Sequence, residues 1–350
     1  MGSSRSGMGS TRKTTTIQDV ARHANVSSAT VSRVLSSPER VSEAARGRVL
    51  EAVRETGYSI NQAARSLRLR AARTILIAVP NIGNPFYSTV LDAVIHTASI
   101  RGYSVLVAAR IGEDPNRWLN DYLLSNRADG LLVFDGSLDT SSLHEIMPTG
   151  GSLPLIAAYD EWPDPRVNSV LTDNRAAAHR AVEHLLDYGH RRIGHIAGPS
   201  RNASPNERLV GFHEAVQAAG ISADPEWIIP GDYSMPTGIR AAERIAALKH
   251  RPTAVFCGND EMAIGFISRL RELGIECPRD ISVMGFDDIA ISEHYWPPLT
   301  TMRQPRQEIG QVATDAVLDI IEGTLPGPGP LHVTLTAPLV IRKSTVRINS

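Results

Sequence analysis

The stretch Thr16-Ile17-Gln18-Asp19-Val20-Ala21, followed by Val26-Ser27-Ser28-Ala29-Thr30-Val31-Ser32-Arg33-Val34-Leu35, decides how the chain begins to fold. Thr16 and Asp19 stand at the spacing of a capping box, in which the hydroxyl caps backbone N–H groups and the carboxylate reaches back to the cap. A helix is therefore expected to start there, with Ile17, Val20, Ala21 and Ala24 along one face. Asn25 suits a left-handed turn, Val26 returns to the core, and Ser27 caps a second helix over 28–35. In that helix Val31, Val34 and Leu35 point inward. Ser28, Ala29, Ser32 and Arg33 then face outward with Thr30 at the boundary, and these short side chains plus one guanidinium suit close approach to base edges. A third helix over 42–56 carries Val49, Leu50 and Val53 as its buried stripe and stops at Gly57. Three short helices with a tight turn between the first two describe a helix-turn-helix unit, although an ordinary three-helix bundle has the same periodicity.

Charge is distributed unevenly about this unit. The chain of 350 residues carries a formal charge of −1, yet residues 1–73 hold 13 Lys and Arg against 5 Asp and Glu, a charge of +8 that leaves −9 on the remainder. A basic head on an acidic body presents phosphate-binding charge at one end only, while a solvated basic tail would show the same count. Hydrophobic residues at 42% and charged residues at 21% are ordinary for a soluble globular protein of two or three domains. Residues 1–10 are rich in Ser and Gly and lack the apolar run of an export signal, so they read as a disordered leader. No apolar run is long enough to span a bilayer. Cys257 and Cys277 have neither metal-ligand spacing nor redox pairing, which fits a reducing, cytoplasmic setting.

The residues of the head, with Val41-Ser42 and Gly57-Tyr58, closely resemble the headpiece of the lactose-repressor/galactose-repressor family. The resemblance implies that Thr16, Ser27, Ser28, Ala29, Thr30, Ser32 and Arg33 meet DNA. The following Asn61-Gln62-Ala63-Ala64-Arg65-Ser66-Leu67-Arg68 resembles that family's hinge helix, which implies DNA contacts from Asn61, Arg65, Leu67 and Arg68. A helix of about two turns is marginal in water. Its arginines can nevertheless meet phosphate, and Leu67 can wedge into a minor-groove base step. One departure stands out: the family places proline before the asparagine, and this chain has Ile60.

From Thr74 onward, near-continuous apolar runs alternate with helical stretches. The runs 74–79, 104–108, 130–134 and 155–158 form one set, and 192–197, 227–229, 254–257 and 281–285 form a second. Continuous hydrophobicity means strands buried on both faces, hence two doubly wound parallel-sheet lobes between helix layers. The expected fold is thus an all-α helix-turn-helix head on an α/β body resembling periplasmic binding proteins. Ligands bind such sheets at the carboxyl ends of the strands. That rule selects the loop 81–87 with Phe86 and Tyr87, then Phe134-Asp135, Tyr159 with 160–162, Asn202, Ser204, Arg208, Tyr233, Asn259-Asp260 and Asp287-Asp288. Aromatic faces mixed with carboxylate, amide and guanidinium suit a polyhydroxylated ligand. Taken singly, Asp288, Asn174 and Asp260 also read as helix caps, and Phe212 as core. By the resemblance, Arg208, Asn259 and Asp287 contact the effector while Phe86, Phe134 and Tyr233 shape the pocket. The resemblance also implies three crossings between lobes, near 172–173, 303–304 and 331–334.

The segments expected are a leader over 1–13, the DNA-binding head over 14–59, and a hinge helix and linker over 60–73. An N-terminal lobe follows from 74–172 and 304–333, and a C-terminal lobe from 173–303 and 334–350. The function expected is a ligand-responsive transcription regulator, most simply a repressor that binds a near-palindromic operator as a homodimer, or as a tetramer. Its effector is a sugar, sugar phosphate or nucleoside. The competing reading is a sugar-binding protein without a DNA role. No enzyme motif is present, neither a P-loop nor a Gly-x-Gly-x-x-Gly, His-Glu-x-x-His or Gly-x-Ser-x-Gly sequence, and the 11 histidines do not group as metal ligands. No cofactor is expected.

Overall fold

The structure is a computed structural model that describes residues 15–58, 71–109, 127–136, 154–158, 165–325, 327 and 329–348. The expected leader, the hinge residues Asn61, Arg65, Leu67 and Arg68, and Tyr159 lie outside the described residues. The chain divides into two compact units, 1–70 and 71–350.

In the first unit, α1 (Ile17–His23), α2 (Ser28–Ser36) and α3 (Glu43–Thr56) surround a small core. The capping box forms as expected: Asp19 N donates to Thr16 Oγ1 at 3.4 Å, and Thr16 N donates to Asp19 Oδ2 at 3.0 Å. Asn25 takes the left-handed conformation at φ 52°, so the chain can turn sharply before Ser27 caps α2 through the Thr30 N–H. Gly57 closes α3 at φ 61°. Val20, Val31 and Val49 are fully buried, and each such side chain stabilises by about 1.5–3 kcal/mol. Leu50 departs from the expected stripe, since it is 42% exposed while Ala52 is buried. Val49 faces α1 and α2, the residues three and four on share that face, and Leu50 lies about 100° around the helix.

The second unit holds two sheets of six strands. In the first the order is β11-β5-β4-β3-β1-β2 and every pairing is parallel. The strands are β1 (Thr74–Val79), β2 (Ser104–Ala109), β3 (Gly130–Val133), β4 (Leu155–Ala158), β5 (Asn168–Thr172) and β11 (His332–Leu335). The second sheet runs β12-β10-β9-β8-β6-β7 and is parallel except for β12. It comprises β6 (Ile193–Ile196), β7 (Ile228–Ile229), β8 (Ala254–Cys257), β9 (Ser282–Asp287), β10 (Thr300–Arg303) and β12 (Leu339–Val340). Strand β8 shows why these runs read as continuously apolar: Val255 and Cys257 join one core, while Ala254 and Phe256 join the core on the opposite face.

Helices α4 (Pro85–Ile100) and α10 (Arg306–Glu322) cover the first sheet, with Arg101 bridging to Asp319 and Glu322. Helices α5 (Asn174–Asp187) and α6 (Ala203–Ala218) pack on one face of the second sheet. Helices α7 (Met235–Ala247) and α8 (Asp260–Glu272) pack on the other, and the short α9 (Ala290–His294) follows β9. The chain leaves the first sheet after β5, returns to it after β10, and leaves it again after β11. Because β11 pairs with β5 as far as Leu335, the third crossing falls at 336–338 rather than at 331–334. In each sheet the strand order reverses at the strand that comes first in the chain, between β1 and β3 and between β6 and β8, and such switch points open a crevice at the carboxyl ends.

Candidate functional site

The head presents one face of α2 to solvent. Ser28, Ala29 and Arg33 are exposed, Thr30 and Ser32 half-buried, because Val31 and Val34 take the inward positions. Thr16 and Ser27 are also exposed, but their hydroxyls serve as caps: Thr16 Oγ1 donates to Asp19 at 2.7 Å, and Ser27 Oγ pairs with Thr30 Oγ1 at 2.9 Å. His23 on α1 meets Glu55 on α3 at 2.6 Å and braces the frame behind that face.

In the body, a cavity of about 300 Å³ opens at the two switch points. The first sheet contributes Pro80, Asn81 and Asn84 after β1 and Phe86 and Tyr87 at the start of α4. From the second come Pro199, Asn202, the run Asp232–Pro236, Asn259, Glu261 and Asp287. Eight expected residues therefore line it, namely Asn81, Asn84, Phe86, Tyr87, Asn202, Tyr233, Asn259 and Asp287. Their roles differ. Asn259 is largely consumed by the fold, since its Oδ1 caps α8 through Met262 N and its Nδ2 donates to Tyr233 O. That second bond holds the 233 loop, where Tyr233 adopts φ 66° and lays its ring on Gly198; a Cβ at Gly198 would overlap the ring.

Phe134, Asp135, Ser204, Arg208, Asp260 and Asp288, all expected at the site, do not line the cavity. Phe134 and Asp135 are buried at the end of β3, where the Phe134 ring meets Tyr87 edge-on at 6.5 Å and so supports the wall from behind. Ser204 is buried in α6. Arg208, 1% exposed, stacks on Phe286 at 3.7 Å while Nε donates to Asn174 Oδ1 and Nη1 to the Gly258 carbonyl. A buried guanidinium needs such partners, and here they turn it beneath the lining.

Asn174 is thus a partner of Arg208, and Asp173 caps α5 instead. Asp288 is no cap either; it pairs with Arg303 at 2.6 Å and Arg342 at 2.7 Å. Asp260 leaves the capping of its own helix to Asn259 and accepts from Ile289 N, Ser292 Oγ and Thr301 Oγ1 at 2.9, 2.6 and 2.6 Å. Burial, with Asp287 nearby, pushes its carboxyl up to about 7.

The lining residues that sequence reasoning missed are chiefly Asp232, Met235 and Glu261. Asp232 reads as a loop residue, and its Oδ1 indeed gathers Ser234 N, Ser234 Oγ and Thr237 Oγ1. Burial opposes its charge, yet the bonds from Ser234 and Thr237 and the nearby Arg240 hold the carboxyl below its usual range. Glu261 reads as an ordinary first-turn acid of α8; its place on the lining shows only once α8 points its start at the cavity. Burial and Asp287 raise it to about 7. Asp287, 4% exposed at φ 118°, is raised by burial to about 6 against the pull of Arg208, Gln304 and Arg306. Gln304 Nε2 donates to Asp287 Oδ1 at 2.7 Å, and Gln304 Oε1 accepts from Thr172 Oγ1 at 2.9 Å. Three left-handed non-glycine residues, Tyr233, Asp287 and Asp288, thus cluster at the cleft, where strained backbone tends to mark function.

Among the described residues no group of three or more His, Cys, Asp or Glu could hold a metal ion, and no helix is long and apolar enough to cross a membrane. A helix-turn-helix head joined in one chain to a two-lobed body with a cleft at its switch points defines a class, that of regulators with a binding-protein-like sensor. Comparison with known proteins places the chain within it. Residues 16–61 match the bacterial regulatory proteins of the lacI family, and 182–345 match the periplasmic binding protein-like domain. The transcriptional repressor CytR of Escherichia coli K12 is 37% identical over 332 residues, covering 94% of this chain and 96% of that protein. The repressor PurR of Vibrio vulnificus is 37% identical over 88% of this chain and 92% of its own. The Lac repressor dimer bound to operator and an anti-inducer superposes with a TM-score of 0.84 at 30% identity, covering 95% of this chain and all of that one. The chain belongs to the lacI family of bacterial regulatory proteins, whose members are DNA-binding transcription regulators and not enzymes.

Proposed function

We propose that this protein is a cytoplasmic repressor that binds a near-palindromic operator as a homodimer and changes its DNA affinity when a sugar or nucleoside-like effector closes the cleft. Ser28, Ala29, Ser32 and Arg33 on α2 read base edges, while Thr16, Ser27 and Thr30 lie at the helix starts beside the phosphates. Residues 60–73, most of them outside the described residues, form the hinge, with Asn61, Arg65 and Arg68 at the backbone and Leu67 in the minor groove. The lobes are 74–172 with 304–335, and 173–303 with 339–350, joined at 336–338. Phe86, Tyr87, Asn202, Tyr233 and Asp287 contact the effector. Arg208, with Phe134 and Asp135 behind the opposite wall, reaches it on closure.

The observation that carries this reading is the union in one chain of an exposed α2 face, made of short side chains and Arg33, with a cleft whose carboxylate Asp287 is bonded to a lobe crossing. An effector can shift DNA affinity only by preferring one lobe arrangement, so the coupling is reciprocal. Selection of duplexes from a random pool, followed by titration at several salt concentrations, tests it. The reading expects one preferred duplex with a steep loss of affinity as salt rises. A chain that binds sugars yet retains no specific duplex at moderate salt would instead be a solute-binding protein.

A further inference from the structure

A cavity of about 350 Å³ lies at the amino ends of β6, β8 and β9, the opposite end of the second sheet from the cleft. Its charged lining is Arg192 before β6, Lys249, His250 and Arg251 in the loop from α7 to β8, and Asp280 before β9. Cations thus gather on a body whose formal charge is −9. Among the described residues no carboxylate forms an ion pair with Arg192, Lys249 or Arg251, whereas Arg269 and Arg279 each take two. We propose that this cavity is an anion site, independent of the effector cleft, for a small ligand bearing two linked phosphoryl groups. A single phosphoryl group brings a charge of about −1.5 to −2 at neutral pH, so three fixed cations call for two of them.

The loop that carries these cations is fixed through its carbonyls, which leaves the charges available. Trp227 Nε1 donates to His250 O at 3.0 Å, Arg192 Nε to Arg251 O at 3.1 Å, and Arg251 Nη2 to Ala246 O at 2.6 Å. The main chain of Arg192 is held in turn, since its carbonyl accepts from Thr253 N at 2.8 Å. Each guanidinium therefore spends one N–H on a carbonyl and keeps others, while the Lys249 ammonium has no bonded partner among the described residues. Guanidinium groups oriented in this way suit phosphoryl oxygens, which they can bind two at a time. Asp280 is the one acid of the lining, and its charge is largely met from elsewhere. Arg279 donates Nε to its Oδ1 at 3.1 Å and Nη2 to its Oδ2 at 2.9 Å, and Glu276 N donates to Oδ2 at 2.7 Å. Arg279 and the Glu276 amide together hold the carboxyl below its usual range. Buried Pro252, Ile275 and Ile281 complete the lining and keep solvent from one side, which weakens screening of the cations.

Lysine acylation on the full chain tests the inference, because the sequence holds only Lys13, Lys249 and Lys343. The chain is titrated with pyrophosphate, ADP or inorganic phosphate at constant ionic strength, and the acylation rate of each lysine is read by peptide mapping. Anions drawn to the basic head do not disturb the reading at Lys249, and Lys343, exposed on the same body, is the reference. Pyrophosphate and ADP are expected to slow Lys249 at least fivefold while Lys343 changes less than twofold, with inorganic phosphate at least threefold weaker. Tighter binding of ADP assigns a nucleotide as the source of the two groups, and tighter binding of pyrophosphate the free anion. Equal effects on the two lysines, or none, overturn the site; inorganic phosphate as good as pyrophosphate overturns the call for two groups. Two variants read at Lys249 locate it. Arg192→Gln should raise the half-protecting concentration of pyrophosphate at least fivefold, and Asp280→Asn should lower it at least twofold, a gain that misfolding cannot produce. Protection unchanged in both variants overturns the assignment to this cavity.

Discussion

Gln304 donates from Nε2 to Oδ1 of Asp287 at 2.7 Å, and through this bond a carboxylate of the cleft is tied to the point at which the chain crosses between lobes for the second time. Thr172, at the first crossing, donates in turn to Gln304 Oε1 at 2.9 Å. Anything that moves Asp287 is therefore felt at two of the three crossings.

Replacing Gln304 with alanine should uncouple the two ends of the molecule. Ligand still binds, but the ratio of operator affinities with and without ligand should fall roughly five- to tenfold, within the usual range of allosteric coupling. The loss of two buried hydrogen bonds should lower stability by about 1–3 kcal/mol. Operator titrations with and without ligand, beside a denaturation curve, separate the two effects; an undiminished ratio would remove Gln304 from the transmission.

Asp287→Asn keeps the shape of the side chain and removes its charge. The variant should lose ligand response, with affinity down by a factor of about 10–100, equivalent to roughly 1.5–3 kcal/mol for a hydrogen bond to a charged group. Basal operator binding should persist. A full response from the variant would move the effector away from this carboxylate.

Arg33→Ala should weaken operator binding by about 1–3 kcal/mol and relax preference at one base position. Because Arg33 is exposed, the melting temperature should hardly change. Binding with unchanged affinity and preference would contradict the assignment of α2 as the reading helix.

Gly198→Ala should displace the Tyr233 ring, which occupies the space a Cβ would need. A ring at the end of a side chain can move, so stability should change little while ligand affinity drops several-fold. Unaltered ligand affinity would show that the ring does not shape the site.

His195 offers a test by pH. It is fully buried between Phe212 and Phe256, and burial lowers its pKa to about 4. The folded state thus refuses a proton that the unfolded chain accepts near 6.5, so its contribution is intact above that pH and is lost progressively down to about 4. His195→Leu should therefore gain on wild type by about 3 kcal/mol between pH 7 and pH 4. Taking the difference cancels Asp260, whose raised pKa acts with the opposite sign. A constant difference across that range would contradict the burial of a neutral imidazole.

Much of this organisation is legible in the sequence because local rules agree with the tertiary answer. Thr16, Asp19, Asn25, Ser27 and Gly57 announce caps and turns that form as read, and strands such as β4 and β8 are apolar throughout because both faces are covered. Strands β5, β10, β11 and β12 are harder to read. Asn168–Thr172 and Thr300–Arg303 mix polar with apolar residues, since Ser169 bonds across the sheet to His332, Thr172 to Gln304 at a crossing, and Thr301 to Asp260 at the start of α8. The cleft was legible at strand ends, where Phe86, Tyr87, Asn202 and Asp287 stand. It was illegible at Asp232 and Glu261, which share the appearance of any turn or first-turn acid until the helices are oriented. Arg208 reads as a ligand residue because an isolated arginine needs partners, and the structure supplies part of them in Asn174, Gly258 and Phe286, which no sequence rule announces.

The central claim, that cleft and head are coupled in one molecule, is tested most directly by fluorescence anisotropy. The full chain is titrated onto the duplex it selects from a random pool, with and without a saturating amount of a sugar or nucleoside found to stabilise its body. The account predicts a change in operator affinity of at least tenfold, and the same factor in ligand affinity when the duplex is present. Operator affinity that stays constant while the ligand occupies the cleft would contradict it.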